Sequence, residues 1–137
     1  MKNVFVDTDI VLDLLAERQP NYPFAAQLFT LSDKGKVNLS VSSVTFTNLN
    51  YILAKKFSNQ KARQILTTFK VLVKILSVDE KIVELALASD FSDFEDAIQY
   101  YTAIENNIAT LLTRNLKDYK TAEISVMTAE DYVKADK

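Results

Sequence analysis

The chain has 137 residues, a formal net charge of −2, and a composition in which 48% of residues are hydrophobic and 25% are charged. This length fits one domain spanning residues 1–137, and the slightly acidic balance argues against a simple non-specific nucleic-acid binder, which would usually be basic. The absence of cysteine and histidine excludes disulfides, thiol nucleophiles, Cys/His zinc sites and imidazole catalysis, so an active site must use carboxylates, amides, hydroxyls, Lys or Arg.

No apolar run in the sequence reaches the roughly 18 residues that a membrane-spanning helix needs. The N-terminus also lacks the basic start followed by a long apolar segment that is typical of a secretory signal. We therefore expect a soluble, cytoplasmic protein that makes no contact with a membrane.

The chain begins with a continuous apolar run, NVFVD, which predicts a buried strand that ends at Asp7. Apolar residues at helical spacing then predict two helices, DTDIVLDLLAER and PFAAQLFTLSDKGK, separated by the helix-breaking segment QPNYP. Gly35 stands where the C-terminal cap of the second helix is expected. A second strand, VNLSVS, precedes two more helices, SSVTFTNLNYILAKKF and NQKARQILTTFKVL, and a serine can cap the first of these.

The second half of the sequence continues this alternation. A third strand, VKILSVD, leads into the helix DEKIVELALAS, for which Asp79 is a suitable N-cap. The next helix, SDFEDAIQYYTAIENN, begins after Ser92 or Asp93. Two further strands, IATLLTRN and EISVMT, and a closing helix, AEDYVKADK, complete the chain. Strands that alternate with helices predict an α/β fold with a mainly parallel sheet.

Polar residues follow two of the predicted strands and open one of the helices. They are Asp7 and Asp9 after the first strand, Thr113, Arg114, Asn115 and Asp118 after the fourth, and Asp93, Glu95 and Asp96 at the helix start. Because ligands bind outside the carboxyl ends of the strands in open α/β sheets, we expect these residues on one rim. Converging carboxylates raise one another's pKa values, and a divalent cation removes the repulsion. Oxygen ligands favour Mg²⁺ or Mn²⁺.

Some of these charged residues also have ordinary structural interpretations. An aspartate two residues after a strand is usually the N-cap of the following helix, and we expect that role for Asp9 in preference to one supporting a metal. The basic residues Lys55, Lys56, Lys61 and Arg63 are interpreted as a solvated helical face rather than as a patch that steers RNA.

Four stretches in a fixed order carry a resemblance to a known family. They are VDTDxxLDLL, SSVTFTNLNYIL, DFEDAIQYYTA and TLLTRNLKDY, followed by a closing strand and helix, ISVMTAEDY. This order and spacing resembles the PIN-domain ribonucleases, the fold of the VapC-type toxins of bacterial toxin–antitoxin pairs. The resemblance covers nearly the whole chain, and its strength lies in the combination rather than in a single motif.

The resemblance implies functional positions, which are carried over only where the motifs match. The first family acid falls on Asp7, and the third falls on Asp96; the resemblance implies that these two hold the metal. The second family acid falls on Asn48 in TFTNL, and the fourth falls on Asn115 in LLTRN. An amide can ligate Mg²⁺ through its carbonyl oxygen but cannot neutralise it. This pattern is similar to a subgroup with TNL and TRN in those places.

The same resemblance implies the remaining features of fold and function. Asp118 completes the implied catalytic set, and Thr113 and Arg114 are the implied substrate-binding residues. The implied fold is a three-layer α/β/α arrangement with a central, mainly parallel sheet of about five strands. The implied activity is Mg²⁺- or Mn²⁺-dependent hydrolysis of single-stranded RNA by the toxin of a type II toxin–antitoxin pair. The implied partners are an RNA substrate, a cognate antitoxin protein and a second copy of the chain in a homodimer.

Three alternatives remain open from the sequence. The first is a degenerate, non-catalytic PIN domain that acts as an RNA- or protein-binding module, because two family acids are amides. The second is a plain α/β interaction module whose carboxylates are caps and solvated charges. The third is a phosphate-receiver domain, for which Asp79 after the third strand is the candidate acceptor, although the rest of the sequence fits that class poorly.

Overall fold

A computed structural model of the chain describes residues 2–119 and 122–135. Its elements in chain order are β1 Lys2–Val6, α1 Thr8–Leu15, α2 Tyr22–Asp33, β2 Val37–Ser42, α3 Ser43–Lys56, α4 Asn59–Phe69, a 3₁₀ turn at Lys70–Leu72, β3 Lys74–Leu76, α5 Glu80–Leu87, α6 Phe94–Glu105, β4 Thr110–Leu112, a 3₁₀ turn at Leu116–Tyr119, β5 Ser125–Met127 and α7 Ala129–Ala135. The predicted alternation of strands and helices is confirmed. None of the helices within the described ranges is long and apolar enough to cross a membrane.

The five strands form one parallel sheet in the order β3-β2-β1-β4-β5. Strand β1 is central, with Phe5 paired to Ser40 of β2 on one side and to Leu111 of β4 on the other. The chain leaves β1 toward β2 and later reaches β4 on the opposite side. The crevice at the carboxyl ends of β1 and β4 is therefore the topological switch point, where ligands bind in sheets of this type.

Helices cover both faces of the sheet, which accounts for the continuous apolar run in β1. Val4 and Val6 pack into one core cluster with residues of α1, α2, α3, α4 and α7. Phe5 points to the opposite face, because side chains alternate along a strand, and packs with Tyr100 and Ala103 of α6. The three-layer α/β/α fold with five strands is confirmed.

Local capping interactions fix the ends of helices α2, α5 and α6. The side chain of Asp79 accepts a hydrogen bond from the backbone N of Ile82 at 3.0 Å, and Asp93 accepts one from the backbone N of Asp96 at 2.9 Å. Gly35 follows α2 with φ at +75°, the left-handed conformation that glycine adopts without strain after a helix. The predicted caps are thus confirmed, and α6 begins at Phe94.

Candidate functional site

Asp7 lies at the switch point, immediately after the central strand β1, and is only 6% exposed. Its Oδ1 accepts hydrogen bonds from the backbone N of Thr8 at 2.8 Å and from Gln99 Nε2 at 3.2 Å. Its Oδ2 accepts from Thr113 Oγ1 at 2.9 Å and from the hydroxyl of Tyr119 at 3.3 Å. Four donors from four segments of the chain therefore hold one carboxylate in a single orientation.

Burial and these hydrogen bonds act on the charge of Asp7 in opposite directions. Burial removes water from the carboxylate and raises the pKa of Asp7 above its ordinary value. The hydrogen bonds from Thr113, Thr8, Gln99 and Tyr119 favour the anion and oppose that effect. Among the described residues, no lysine or arginine forms an ion pair with Asp7. The site therefore holds a buried carboxylate that none of the described basic side chains neutralises.

Tyr119 connects Asp7 with Asp96 of helix α6. Its hydroxyl lies 3.3 Å from Asp7 Oδ2 and 3.4 Å from Asp96 Oδ1. Burial, followed by the charges of Asp7 and Asp96, raises the pKa of Tyr119, so the hydroxyl keeps its proton. One proton can serve only one carboxylate at a time. The two carboxylates therefore share one hydrogen-bond donor, and at any moment one of them lacks that hydrogen bond.

The carboxyl group of Asp96 is surrounded by other acids. Burial is the largest cause that raises the pKa of Asp96 to about 7, and the charges of Asp7, Asp93, Asp118 and Glu95 add to it in that order. The chain places no ion-pairing base beside Asp96 within residues 2–119 and 122–135. At neutral pH the side chain is therefore divided between its protonated form and a charged form that no described base neutralises.

Asn48 of α3 meets a carboxylate from α6. Its Nδ2 donates a hydrogen bond to Glu95 Oε1 at 2.6 Å. Burial and the charges of Asp7 and Asp93 raise the pKa of Glu95, and the bond from Asn48 opposes this. Asn48 thus holds the carboxylate of Glu95 by a hydrogen bond. The resemblance expects an acid at position 48 itself, and Glu95 of α6 places an acid next to that position.

A buried polar network lies beneath Asp7, and sequence reasoning missed it. Gln99 is fully buried, and its Nε2 contacts Thr8 Oγ1 at 3.3 Å and Thr45 Oγ1 at 2.9 Å as well as Asp7. Its Oε1 accepts a hydrogen bond from Ser42 Oγ at 2.6 Å. The available signal was a glutamine inside the otherwise apolar stripe of α6, because a buried amide requires partners.

Acids and arginines alternate on the other side of Asp7. Arg114, just after β4, donates its backbone N–H to Asp9 Oδ2 at 3.3 Å, and its Nε lies 3.8 Å from the same oxygen. Its Nη1 lies 3.4 Å from Asp13 Oδ1, and Arg18 pairs with that oxygen at 3.2 Å. The prediction that Asp9 caps α1 was wrong. Helix α1 begins directly after the strand, so Asp7 occupies the N-cap and Asp9 falls in the first turn.

Opposite charges partly compensate the burial of these acids. Burial and then the charge of Asp7 raise the pKa of Asp9 to about 7, whereas the backbone N–H and the charge of Arg114 lower it. Burial also raises the pKa of Asp13, against the charges of Arg114 and Arg18. Asp9 Oδ1 is buried and has no hydrogen-bond partner among the described residues.

The structure distributes the other predicted residues around this centre. Thr113 is fully buried, and besides donating to Asp7 its hydroxyl accepts a hydrogen bond from the backbone N of Asn115 at 3.2 Å. The side chain of Asn115 is exposed at the rim. Asp118 is half-buried in the 3₁₀ turn and acts on Asp96 through its charge. Asp7, Thr113 and Asp96 are therefore brought together, whereas Asn115 and Asp118 lie at the edge.

The chemistry of this donor set fits a hard divalent cation. Within residues 2–119 and 122–135, no group of three or more His, Cys, Asp or Glu side chains is placed to hold a metal ion by itself. However, Asp7 is buried, Asp96 is half-buried, and burial together with neighbouring acids raises the pKa values of Asp96 and Glu95, while burial raises that of Asp7. A divalent cation at carboxylate oxygens offsets both the repulsion and the cost of burial. The arrangement also suits phosphate chemistry, in which a cation stabilises developing negative charge.

Comparisons with known proteins agree with this architecture. Residues 3–117 match the family model described as the PIN domain. The chain is 30% identical over 139 residues to Ribonuclease VapC1 of Aquifex aeolicus (strain VF5), covering 96% of this chain and 93% of that protein. A toxin–antitoxin complex from Klebsiella pneumoniae matches with a TM-score of 0.68 and 26% identity, over 92% of this chain and 97% of that one. FitAcB from Neisseria gonorrhoeae matches with a TM-score of 0.70 and 17% identity, over 93% and 98%.

Proposed function

Because this chain belongs to the PIN-domain family, we propose that it is a metal-dependent endoribonuclease that hydrolyses phosphodiester bonds of single-stranded RNA. The observation that carries the proposal is the approach of Asp7 and Asp96 to one tyrosine hydroxyl, at 3.3 and 3.4 Å, without an ion-pairing base among the described residues. The ribonuclease relative, matched over nearly its whole length, supports the reaction class.

Asp7 and Asp96 would hold Mg²⁺ or Mn²⁺, with Glu95 of α6 and Asn48 of α3 adding oxygen atoms. When bound, the cation polarises the phosphate and lowers the pKa of an attacking water. Tyr119 keeps the two carboxylates aligned, since its hydroxyl contacts both. Gln99 orients Asp7 from below, as its Nε2 lies 3.2 Å from Oδ1.

The residues that follow β4 would orient the substrate and the water. Arg114 has a side chain that is 38% exposed, so it can meet a backbone phosphate while Asp9 and Asp13 fix its position. Thr113 is assigned to holding Asp7, because its buried hydroxyl is already engaged there. The catalytic set proposed from the sequence includes two more residues at the edge of the site, and their role would be to support the bound water. These are Asn115 and Asp118.

We further propose that the protein acts in the cytoplasm as the toxin of a toxin–antitoxin pair and pairs with a second copy of itself. The relative from Klebsiella pneumoniae is described as a toxin–antitoxin complex, which supports an antitoxin partner. Three large apolar side chains of α3 and its end are exposed, namely Tyr51, Ile52 and Phe57. Exposed apolar surface of this kind favours contact with another chain.

A second candidate function is a PIN domain that binds RNA or protein without cutting. The observation that favours it is the presence of amides, Asn48 and Asn115, at two positions where the resemblance expects acids. An amide leaves a bound cation less neutralised, which would weaken metal binding and turnover.

The proposal is tested by incubating purified protein with a mixed pool of single-stranded RNA in Mn²⁺, in Mg²⁺ and in EDTA. We expect cutting only with a metal, and we expect the Asp7→Asn variant to cut at least about 100-fold more slowly, as when a group that stabilises transition-state charge is removed. The matched control is Asp33→Asn, an exposed aspartate at the end of α2.

If no RNA is cut, the effect of metal on the melting temperature distinguishes two explanations. If metal raises the melting temperature of the wild type but not of Asp7→Asn, and no RNA is cut, the non-catalytic PIN domain replaces the nuclease. If metal neither raises the melting temperature nor promotes cutting, the proposed metal site is wrong.

A further inference from the structure

A cavity of about 360 Å³ lies beside the proposed metal site, at the carboxyl ends of β4 and β5. Side chains of α1, α2 and α7 and the segment after β4 form its walls. Arg114 and Asn115, which follow β4 directly, line this cavity, and Arg114 also contacts Asp9, two residues after Asp7. This volume is near the lower end for ligand pockets, which range over roughly 300–1,000 Å³, and suits one small planar group.

The charged groups that line the cavity are already paired within the protein. Asp13 pairs with Arg18 and Arg114, and Glu130 pairs with Lys134. A ligand that brought its own charge would have to break one of these pairs and leave a desolvated charge, which is costly. The lining therefore favours a ligand that is polar but uncharged.

Asn21 provides an uncommitted hydrogen-bonding group in this cavity. It occupies the N-cap position of α2, yet its side chain makes no capping hydrogen bond and none with any other described residue. An amide offers donors and an acceptor side by side, the combination that recognises the edge of a nucleobase. Phe24 lines the same cavity with a half-buried ring, and aromatic rings stack on unpaired bases.

We propose that this cavity holds the base of a nucleotide adjacent to the phosphate that the metal site cleaves. This inference rests on the proposed RNA substrate. Asn21 reads the edge of the base and Phe24 stacks on its face. Arg114 contacts the adjacent phosphate through the exposed part of its guanidinium while it stays paired with Asp13. The cavity therefore gives the enzyme a preference for certain nucleotides at one position of a single strand.

The test measures binding of labelled RNA hexamers by fluorescence anisotropy in Ca²⁺, with the RNA checked on a gel for integrity. The probes are A₆, C₆, U₆ and an abasic hexamer, and the proteins are the wild type, Asn21→Ala, Phe24→Leu and the control Asn59→Ala. Asn59 is exposed at the start of α4 and lies outside the cavity. Thermal melting verifies that each variant is folded.

We expect the wild type to bind its preferred hexamer at least about fivefold more tightly than the abasic one, as base stacking and hydrogen bonding provide. Asn21→Ala should reduce the ratio between the strongest and weakest of the three bases to less than about twofold. Phe24→Leu should weaken binding of all three without changing the abasic hexamer. Asn59→Ala should match the wild type.

The proposal is overturned if the abasic hexamer binds as well as the others, if no hexamer binds, or if Asn21→Ala keeps the wild-type ratios. A parallel assay of cutting in Mn²⁺ separates this failure from that of the nuclease. Cutting without any effect of Asn21→Ala on base preference removes only the cavity proposal, and the cavity then fits a side chain of a protein partner. Base preference that depends on Asn21, without cutting, removes only the nuclease.

Discussion

Two groups of acids flank Asp7, and they differ in what neutralises them. The acidic side consists of Asp96 and Glu95 on α6, and the hydroxyl of Tyr119 joins Asp96 to Asp7. The arginine side consists of four residues, Asp9, Asp13, Arg18 and Arg114. Burial is the largest cause of the raised pKa values on both sides. Only the arginine side contains guanidinium groups that compensate for it.

This difference shows that the number of acids does not identify a metal site. A carboxylate taken out of water must be protonated, paired with a base or bound to a cation. Where the chain itself supplies arginine, as at Asp13, the acid has a structural partner. Where the neighbours are other acids, as at Asp96, the carboxylate must take up a proton or bind a cation from solution. The acidic side is accordingly the side at which we place the cation.

The largest expected effect is a difference in how a variant of the acidic side and a variant of the arginine side respond to Mn²⁺. Asp96→Asn should abolish the rise in melting temperature caused by Mn²⁺, because it removes a ligand. Binding at 100 times the dissociation constant stabilises the folded state by about 2.7 kcal/mol, or roughly 10 °C for a chain of this size. Arg114→Gln should retain that rise. Differential scanning fluorimetry with and without Mn²⁺ measures both.

Without metal, the same two variants should differ in stability, and Asp96→Asn should be the more stable of the two. Asp96→Asn removes a repelling carboxylate and should leave stability unchanged or increased. Arg114→Gln leaves Asp9 without its cation and Asp13 with Arg18 alone, and should lower the free energy of unfolding by about 1–2 kcal/mol, after allowing for the partial exposure of the guanidinium. Arg63→Gln, an exposed arginine on α4, is the control. If Mn²⁺ raised the melting temperatures of Asp96→Asn and Arg114→Gln equally, the two sides would not differ as proposed.

A smaller effect is expected from pH. The pKa of Asp96 rises from its ordinary value of 3.8 to about 7 in the folded state. Between those values the folded chain binds more protons than the unfolded chain, so this group's contribution to the free energy of unfolding falls as pH rises from about 4 to 7. A cation requires the deprotonated form, so the increase in melting temperature caused by Mn²⁺ should be larger at pH 8 than at pH 6.

The pH measurement compares melting curves of the wild type and Asp96→Asn from pH 5 to 8, without metal. Asparagine does not titrate, so the variant should gain stability relative to the wild type as pH rises from 5 to about 7, and the difference should level off above that. A difference between the two proteins that stays constant over this range would contradict the raised pKa of Asp96.

The smallest effect concerns the amide on α3. Asn48→Glu replaces the donor that contacts Glu95 Oε1 at 2.6 Å with a second carboxylate. Without metal we expect a loss of about 1 kcal/mol, since a hydrogen bond is lost and a repulsion is added. With Mn²⁺ we expect tighter binding, by about twofold to tenfold, because the cation gains negative charge. Calorimetric titration measures this binding, and Asn48→Gln, which keeps an amide, is the control. Equal affinities in the two variants would place Asn48 outside the metal site.

The fold followed from local features of the sequence to a large extent. The strand VNLSVS was predicted with the bounds that the structure has, Val37–Ser42, and Asp79 caps α5 as expected. These features depend on neighbours within a few residues, which apolar alternation and capping chemistry reveal. The prediction for Asp9 failed by a local margin, because the helix begins two residues earlier than an N-cap at Asp9 would require.

The candidate site was only partly predictable, because its contacts cross the chain. Gln99 is 92 residues from Asp7, and Tyr119 is 112 residues from it. Helical periodicity predicts which positions of α6 are buried, but it does not tell which buried polar atom meets which partner. Asp13 illustrates the same limit, since in the sequence it resembles an ordinary helical acid and in the structure it is buried between two arginines.

The sequence by itself determined the alternating order of strands and helices, the burial of the first strand and the presence of acids at strand ends and at a helix start. Periodicity, capping and the cost of burying polar groups act over short stretches, so they can be read directly. The tertiary structure alone decided which acids face arginines and which face other acids. That distinction depends on distances between segments about 100 residues apart, and electrostatic interactions in a desolvated site change strongly with distance.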